Sequence, residues 1–239
     1  MIKVQGLYKS FNGQAVLNDI NLYVPEGEIL AILGESGSGK SVFLQHLIGL
    51  LKPDRGTIEI DGTDITKLSE EQLLKLRAKI GYLFQEGALY DFFTVYENVA
   101  FPLMEHTRMK SKEITQKVEH MLHLVGLEKA AYKYPSELSG GMKKRAALAR
   151  SVILDSKFLL CDEPTSGLDP LRSRQIMDLI ANLTPELKCT TIITSHDIPN
   201  SFRVADRVAI IKEGHIIAIG TREELELSRD NSIQELLKV

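Results

Sequence analysis

The residues with the clearest chemical signature form the segment Gly34-Glu35-Ser36-Gly37-Ser38-Gly39-Lys40-Ser41, here called the phosphate loop. It follows the apolar run 29–33 and precedes the apolar run 42–48, a context that predicts strand, glycine-rich turn and helix. Glycines allow successive N–H groups to converge on phosphate oxygens, and a helix N-terminus adds partial positive charge. Lys40 would reach the β- and γ-phosphates, and the Ser41 hydroxyl would bind Mg²⁺. The strand and helix context disfavours the alternative, a turn that binds nothing.

Two adjacent carboxylates, Asp162 and Glu163, follow the apolar run 158–161, which predicts a buried strand. Open α/β sheets hold ligands at the carboxyl ends of their strands, so both acids are expected near the phosphate loop. Side chains alternate along a strand, so the two carboxylates need not share a role. Asp162 is suited to hold Mg²⁺ through water, and Glu163 to polarise a water molecule aimed at the γ-phosphate. The alternative is a pair of solvated acids.

A second anion site is predicted at Leu138-Ser139-Gly140-Gly141-Met142, here called the signature segment. The Ser and Gly N–H groups of this segment lie at the start of a predicted helix, where they can bind an anion. Two further polar residues stand at the ends of predicted strands, Gln85 after the run 80–84 and His196 after the run 190–194. Asp169 closes the segment Ser166-Gly167-Leu168-Asp169. A lone histidine is more often structural, but the position of His196 after an apolar strand favours a functional role.

The elements that position these groups alternate between strand and helix. The predicted strands are 2–11, 15–24, 28–33, 57–60, 80–84, 158–161, 190–194, 207–211 and 215–219. The predicted helices are 40–51, one capped at Ser69, one capped at Thr94, one over 114–125, 140–154, one over 176–183 and one capped at Thr221. Strand, helix and strand joined by right-handed crossovers give an α/β chain with a mostly parallel sheet.

The helices between residues 87 and 155 interrupt the α/β pattern. We predict one domain over 1–239, with a nucleotide-binding core at 1–86 and 156–223, a helical signature subdomain at 87–155 and a tail at 224–239. The tail includes an amphipathic segment, 232–239, that either packs on its own core or docks on a sister subunit.

Composition limits the classes of function. The net charge is −3, from 29 basic and 32 acidic residues, which gives no electrostatic indication of a nucleic-acid partner. Cys161 and Cys189 both fall in apolar runs and are expected to be buried rather than disulfide-bonded. Neither a signal-peptide pattern nor a run of 18 apolar residues occurs, so a cytoplasmic protein is expected.

In this order the motifs resemble the ATPase subunit of ATP-binding-cassette (ABC) transporters, over nearly the whole chain from Phe11 to about Gly220. The resemblance implies a P-loop NTPase fold with a mostly parallel sheet core, an N-terminal antiparallel β subdomain and an inserted α-helical subdomain. It implies ATP and Mg²⁺ as ligands. It further implies a head-to-tail homodimer, in which each ATP lies between the phosphate loop of one subunit and Ser139-Gly140-Gly141 of the other.

The resemblance also assigns roles to individual residues. The aromatic ring of Phe11 would stack on adenine, for which a core aromatic is the alternative; Gln85 would sense Mg²⁺ and the permease; and His196 would contact the γ-phosphate. The nucleotide-binding set is Phe11, Gly34, Glu35, Ser36, Gly37, Ser38, Gly39, Lys40, Ser41, Ser139, Gly140, Gly141 and Asp169. The catalytic set is Glu163, His196 and Gln85, and the Mg²⁺ set is Ser41, Gln85 and Asp162. Two departures are Met142, where Gln is commonest, and Ser41, where Thr is commonest.

The run 85–103 and the Ser-Gly-Gly-Met signature look like the Mla-type branch, whose permeases work with MCE-domain lipid carriers and move phospholipids between membranes. Tyr90, Phe92 and Phe93 would contact the permease, although a local core for the helix after Thr94 is the alternative. The resemblance implies an ATPase held by its permease at the inner face of the cell membrane. It leaves open an MCE-domain carrier and a small regulatory subunit in the same complex.

Other hypotheses remain open at this stage. An importer of amino acids, metal or another small solute would need the same cassette, because the permease and carriers select the cargo. A non-transport cassette acting in DNA repair or translation would be expected to carry tandem cassettes, coiled coils or basic arms. His120 and His123 have helical spacing for a metal but no third ligand, which favours a solvated face.

Overall fold

The computed structural model describes residues 1–228, 230 and 233–234. The strands are β1 (Ile2–Phe11), β2 (Gln14–Val24), β3 (Ile29–Leu33), β4 (Arg55–Ile60), β5 (Thr63–Asp64), β6 (Ile80–Leu83), β7 (Phe158–Asp162), β8 (Thr190–Ser195), β9 (Arg207–Lys212) and β10 (His215–Gly220). The helices are α1 (Lys40–Leu47), α2 (Glu70–Arg77), α3 (Val95–His106), α4 (Ser111–Leu124), α5 (Gly140–Val152), α6 (Pro170–Glu186), α7 (Ile198–Val204) and α8 (Arg222–Glu226).

The N-terminal sheet is antiparallel, in the order β2-β1-β4-β5. The turn between β1 and β2 has positive φ at both Asn12 (50°) and Gly13 (82°), the geometry that a two-residue hairpin favours. Ile2, Val4 and Leu7 of β1 are buried, and Val4 and Leu7 share an apolar cluster with Phe43 and Leu44 of α1. The predicted antiparallel β subdomain is confirmed, and it covers one side of α1.

The second sheet has the order β10-β9-β3-β8-β7-β6 and is parallel except for the pair of β9 with β10. All residues of β3 are buried, because β3 lies between β8 and β9 in the middle of the sheet. The mostly parallel sheet is therefore confirmed. Since β3, β8 and β7 are successive neighbours, their carboxyl ends bring the phosphate loop, His196 and Asp162 to one edge.

Helices α3, α4 and α5 form the inserted helical block, packed around a shared cluster that includes Val99, Val118, Met121 and Leu148. The side of α5 that faces the sheet approaches β6 closely, since a Cβ on Gly81 would lie 2.4 Å from the Ser151 carbonyl oxygen. The inserted helices are confirmed, and the residue boundaries of the subdomains stay a prediction.

Three element predictions need correction. The helix expected over 40–51 ends at Leu47, because Gly49 takes a φ of +65° and the N–H groups of Gly49 and Leu50 bond back to His46 and Gln45. The strand expected over 80–84 ends at Leu83. Helix α7 was not predicted at all.

Other predictions concern the cysteines and the tail. Cys161 and Cys189 are buried and free, as expected, and burial raises the pKa of both thiols. The predicted amphipathic tail lies outside the described residues except for Ile233 and Gln234, and Ile233 is buried in a cluster with Leu225. Within the described part of the chain, no helix is both long and apolar enough to span a bilayer.

Candidate functional site

The phosphate loop lies between the carboxyl end of β3 and the first turn of α1. Two of its glycines are required by close backbone contacts, because a Cβ on Gly34 would lie 2.4 Å from the Ile211 carbonyl oxygen and one on Gly39 2.9 Å from that of Val16. Gly39, with a φ of +101°, is also the N-cap of α1 and supplies no capping side chain. The N–H groups of the first helical turn are therefore available to an anion.

Lys40 is the first residue of α1, and its ammonium group lies against the phosphate loop. The Nζ donates to the carbonyl oxygens of Gly34 (2.7 Å) and Glu35 (2.9 Å). It also forms a largely buried ion pair with Glu163, with 3.2 Å between Nζ and Oε1. The ammonium is thus positioned where the loop N–H groups and the acidic strand meet.

Asp162 is held by three hydroxyl groups at the end of β7. The Ser41 and Thr194 hydroxyls donate to Oδ1 at 2.8 and 2.9 Å, and the Tyr82 hydroxyl donates to Oδ2 at 3.2 Å. Burial and the negative charge of Asp162 raise the pKa of Tyr82 far above its ordinary value, so its hydroxyl keeps its proton. The structure therefore brings the predicted Mg²⁺ residues Ser41 and Asp162 into direct contact.

Glu163 has different partners from Asp162. Its backbone is in the left-handed region, with φ of 45°, and its N–H donates to the Thr194 carbonyl at 3.1 Å. Its carboxylate meets Lys40 through Oε1 and accepts a hydrogen bond from His196 Nδ1 at 2.8 Å through Oε2. A carboxylate only accepts hydrogen bonds, so Nδ1 carries the hydrogen, and the His196 side chain is 66% exposed. The two acids are separated as predicted, but a left-handed turn causes this and not alternation along the strand.

These groups line one cavity of about 490 Å³, formed by the phosphate loop together with Val16, Gln85, Glu163 and His196. Gln85 lies two residues beyond the end of β6, and its amide donates to the Ser166 hydroxyl at 3.2 Å. The cavity therefore combines an uncapped helix N-terminus, a buried ammonium group, the Glu163 carboxylate and an imidazole, and Asp162 lies behind it, hydrogen-bonded to the lining residue Ser41. This set can hold a phosphate chain and activate a water molecule beside it.

Three predicted groups lie outside that cavity. Ser139 and Gly141 line a separate cavity of about 510 Å³. Asp169 caps α6 by accepting the Arg172 N–H at 3.0 Å. Phe11, at the end of β1, is 41% exposed, so the core interpretation of this ring is wrong. Ser139 and Gly141 therefore line a different cavity from the phosphate loop of the same chain.

The aromatic patch, defined as Tyr90, Phe92, Phe93 and Phe101, has ring centroids 4.7 to 5.7 Å apart. Phe92 is 72% exposed, while Phe93 is half-buried. The patch is therefore a packed cluster that also presents an apolar surface, which combines both sequence interpretations.

Asn98, which sequence reasoning did not single out, fixes this segment. It is fully buried, accepts the Tyr90 N–H at 2.8 Å and donates to the carbonyl oxygens of Tyr90, Phe93 and Thr94 at 3.0 to 3.1 Å. The only available signal was an amide on the apolar face of a helix. Thr194 and Tyr82 were missed as well, because strand register brings them to Asp162.

The donor set fits the expected Mg²⁺. A serine hydroxyl and a carboxylate are hard oxygen ligands, and Mg²⁺ commonly takes one or two protein groups and completes its shell with water and phosphate oxygens. Gln85 offers an amide oxygen from across the same cavity. Among the described residues no cluster of three or more His, Cys, Asp or Glu occurs that could hold a metal by itself.

His120 and His123 lie on an exposed face of α4, as predicted. His123 Nδ1 lies 2.6 Å from Glu128 Oε1, a surface contact. A solvated face is confirmed for this pair.

Comparison with known proteins gives consistent results. A family model described as ABC transporter matches residues 17–166. The intermembrane phospholipid transport system ATP-binding protein MlaF of Haemophilus influenzae is 42% identical over 238 residues, covering 100% of this chain and 90% of that protein. The probable ribonucleotide transport ATP-binding protein mkl of Mycobacterium leprae is 44% identical over 236 residues, covering 99% of this chain and 68% of the relative.

The fold has solved counterparts as well. The ATP-binding cassette MJ0796, solved as a dimer in a post-hydrolysis state with ADP and Pi, is 33% identical, with a TM-score of 0.85 and coverage of 92% of this chain and 98% of that chain. The chain spans about two thirds of the mycobacterial relatives, 66 to 68% of their length.

Proposed function

Since the chain belongs to the ABC transporter family, as its ATP-hydrolysing cassette, we propose that it powers an integral-membrane permease that moves phospholipids between membranes. The observation that carries the phospholipid cargo is the similarity to MlaF along 100% of this chain and 90% of that protein. The cassette itself provides the energy, and the permease provides the path for the lipid.

We assign the chemistry within the cavity to residues of this chain. The loop N–H groups and Lys40 bind and orient the phosphates, and His196 faces the terminal phosphate through Nε2. Glu163 orients the attacking water and receives its proton, because its carboxylate is fixed by Lys40 and His196. Ser41 and Asp162, with Gln85, would hold Mg²⁺, which when bound neutralises phosphate charge. Positioning and electrostatics then supply most of the rate.

The second half of each site comes from a second copy of the chain. Cassettes of this family dimerise and work with a membrane permease. In this chain Ser139, Gly140 and Gly141 form the first turn of α5 and its cap, away from the phosphate loop of the same molecule. A head-to-tail homodimer lets this helix N-terminus contact the ATP bound to the partner subunit, with Asp169 and Phe11 completing the nucleotide contacts.

The permease docks on the aromatic patch. Tyr90, Phe92 and Phe93 follow Gln85 closely in the chain, so a partner bound there sits within a few residues of the cleft. An exposed apolar cluster of this kind marks a protein contact. The cassette is thereby held at the cytoplasmic face of the inner membrane, in a complex that includes an MCE-domain lipid carrier and leaves room for a small regulatory subunit.

The proposal is tested by purifying the tagged full-length chain from detergent-solubilised membranes and identifying bound proteins and lipids by mass spectrometry. A permease, an MCE-domain protein and phospholipid in the eluate are the expected result. An eluate in which the cassette carries no membrane protein would contradict the transport assignment.

One observation favours a second cargo. The mycobacterial relative at 44% identity bears a name that specifies ribonucleotide transport. Under that alternative the same purification yields a permease with a solute-binding partner and no phospholipid above the level of a mock preparation.

A further inference from the structure

Lys144 is a buried cation on α5 that the proposed chemistry does not use. Its side chain is only 7% exposed, whereas the neighbouring Lys143 is exposed. The Lys144 Nζ donates to the backbone carbonyl oxygen of Gln85. This hydrogen bond joins the helix that starts at the signature segment to the residue that follows β6 at the cleft.

The surroundings of Lys144 are acidic. Burial lowers its pKa, and the negative charges of Glu86, Glu163 and Asp162 act in the opposite direction. Burying an ammonium group is unfavourable unless hydrogen bonds and opposite charges compensate. The Gln85 carbonyl and the nearby carboxylates supply that compensation.

The same face of α5 contacts the segment 85–90 at further points. A Cβ on Gly87 would lie 3.3 Å from the Ala147 Cβ, and Arg150 donates to the Gly87 carbonyl at 3.0 Å. The Arg150 guanidinium carbon also lies 5.6 Å from the centroid of the Tyr90 ring. Because α5 contacts the segment along its length, the Gln85 backbone is fixed relative to the helix, and its side chain lines the cavity while its amide donates to the Ser166 hydroxyl.

We propose that Lys144 is a positioning residue for ATP hydrolysis, which holds the Gln85 backbone so that its amide faces the nucleotide. The inference rests on the proposed role of Gln85 in the cleft. It makes α5 a direct connection between the signature segment, which contacts the partner's nucleotide, and Gln85, which serves the nucleotide of its own subunit.

The test is a double-mutant cycle on the full-length chain, with ATP turnover measured for Lys144→Met, Gln85→Ala and the combined variant. Met matches the straight side chain of Lys and its helix propensity, and it removes the donor. We expect Lys144→Met to lower kcat about tenfold to a hundredfold, with little change in KM, because misplacement by about 1 Å has effects of that size. The combined variant should be no slower than Gln85→Ala alone. Lys143→Met is the matched control and should keep wild-type turnover.

Backbone hydrogen exchange provides a readout that does not depend on activity. The Gly87 N–H donates to the Phe84 carbonyl at 2.8 Å, so it reports on the turn that contains Gln85. We expect Lys144→Met to speed exchange at Gly87 relative to both the wild type and Lys143→Met. Lys144→Leu, which also lacks a donor, replaces the Met variant if that one fails to fold, and Lys144→Gln, whose amide can still donate, should lie between it and the wild type.

The outcomes distinguish the positioning role of Lys144 from the proposed role of Gln85. Normal turnover of Gln85→Ala would remove the role proposed for Gln85, and with it the positioning claim. If Gln85→Ala is slow but the two effects multiply, or if exchange at Gly87 is unchanged, the positioning claim alone is overturned.

Discussion

At the scale of single residues, neighbouring carboxylates differ because their partners differ. Asp162 accepts hydrogen bonds from the hydroxyls of Ser41, Thr194 and Tyr82, an environment that suits its proposed role as an oxygen ligand for Mg²⁺. Glu163, one residue later, turns through a left-handed backbone toward Lys40 and His196. Because Lys40 and His196 fix the Glu163 carboxylate at the wall of the cavity, this carboxylate can accept a proton from water without moving.

Replacing Glu163 by Gln should preserve ATP binding and abolish most turnover. The amide keeps the size and a hydrogen-bond acceptor for His196 but cannot accept a proton, and a general base contributes about 10²- to 10⁴-fold to the rate. Turnover by phosphate release and binding by a fluorescent ATP analogue measure the two effects. Glu119→Gln, on the exposed face of α4, is the control. Wild-type hydrolysis by Glu163→Gln would remove the assignment.

His46 gives the chain a pH dependence of stability. It is fully buried on α1, with Nδ1 2.7 Å from the Val42 carbonyl oxygen and Nε2 without a hydrogen-bond partner in the described part of the chain. Burial lowers its pKa below the ordinary 6.5. The unfolded chain therefore binds the proton more readily, so stability is complete above pH 6.5 and falls as pH drops from 6.5 toward the folded pKa.

Urea unfolding between about pH 8 and pH 5 measures the effect, whose slope is at most about 1.4 kcal/mol per pH unit for one proton. His46→Gln should flatten the decline on the acidic side, while His106→Gln, at an exposed position, should leave the wild-type curve unchanged. Parallel curves for wild type and His46→Gln would show that His46 does not couple stability to pH.

At the scale of elements, the segment between β6 and α3 depends on one buried amide. Asn98 satisfies one N–H and three carbonyl groups of residues 90–94. Asn98→Leu would fill the space but leave the Tyr90 N–H and the Phe93 carbonyl unpaired, while the Tyr90 and Thr94 carbonyls keep the backbone N–H groups of Phe93 and Asn98. It should therefore lower the free energy of unfolding by about 3 kcal/mol. Chemical denaturation measures the change, with the exposed Glu105→Gln as control. A loss below about 0.5 kcal/mol would show that water replaces the amide.

The sequence predicted elements where the signal is local. Ser69, Thr94 and Thr221 begin helices as expected, because a capping box is complete within four residues of chain. The end of α1 was missed because Leu50 and Leu51 continue the apolar pattern beyond the left-handed Gly49. Helix α7 is only seven residues long, too short for a periodic pattern to stand out.

The candidate site follows the same rule. The phosphate loop is one contiguous segment of chain and the acidic pair is another, so the residue types of each could be read directly from the sequence. Lys144, Thr194 and Tyr82 act on partners 59, 32 and 80 residues away, through strand register and helix packing. Such contacts depend on tertiary structure, and no single-sequence pattern specifies them.

At the scale of the whole molecule, function depends on surfaces that one chain leaves open. Phe92→Glu should abolish co-purification of the permease while changing the unfolding free energy of the isolated chain by less than about 0.5 kcal/mol, since Phe92 is 72% exposed. Leu74→Glu, at another exposed apolar position on α2, is the matched control and should retain the permease. Equal recovery with Phe92→Glu would place the docking surface elsewhere.

The central claim is that each ATP is held by the phosphate loop of one chain and the signature segment of another. The most direct measurement mixes Lys40→Ala chains with Ser139→Arg chains, both carrying Glu163→Gln to block hydrolysis, and counts the ATP retained after rapid desalting. Each variant alone should retain none. The equal mixture should retain about a quarter of the ATP held by Glu163→Gln alone, since half of the pairs are mixed and each has one intact site. Retention in the mixture no higher than in the separate samples would contradict the account.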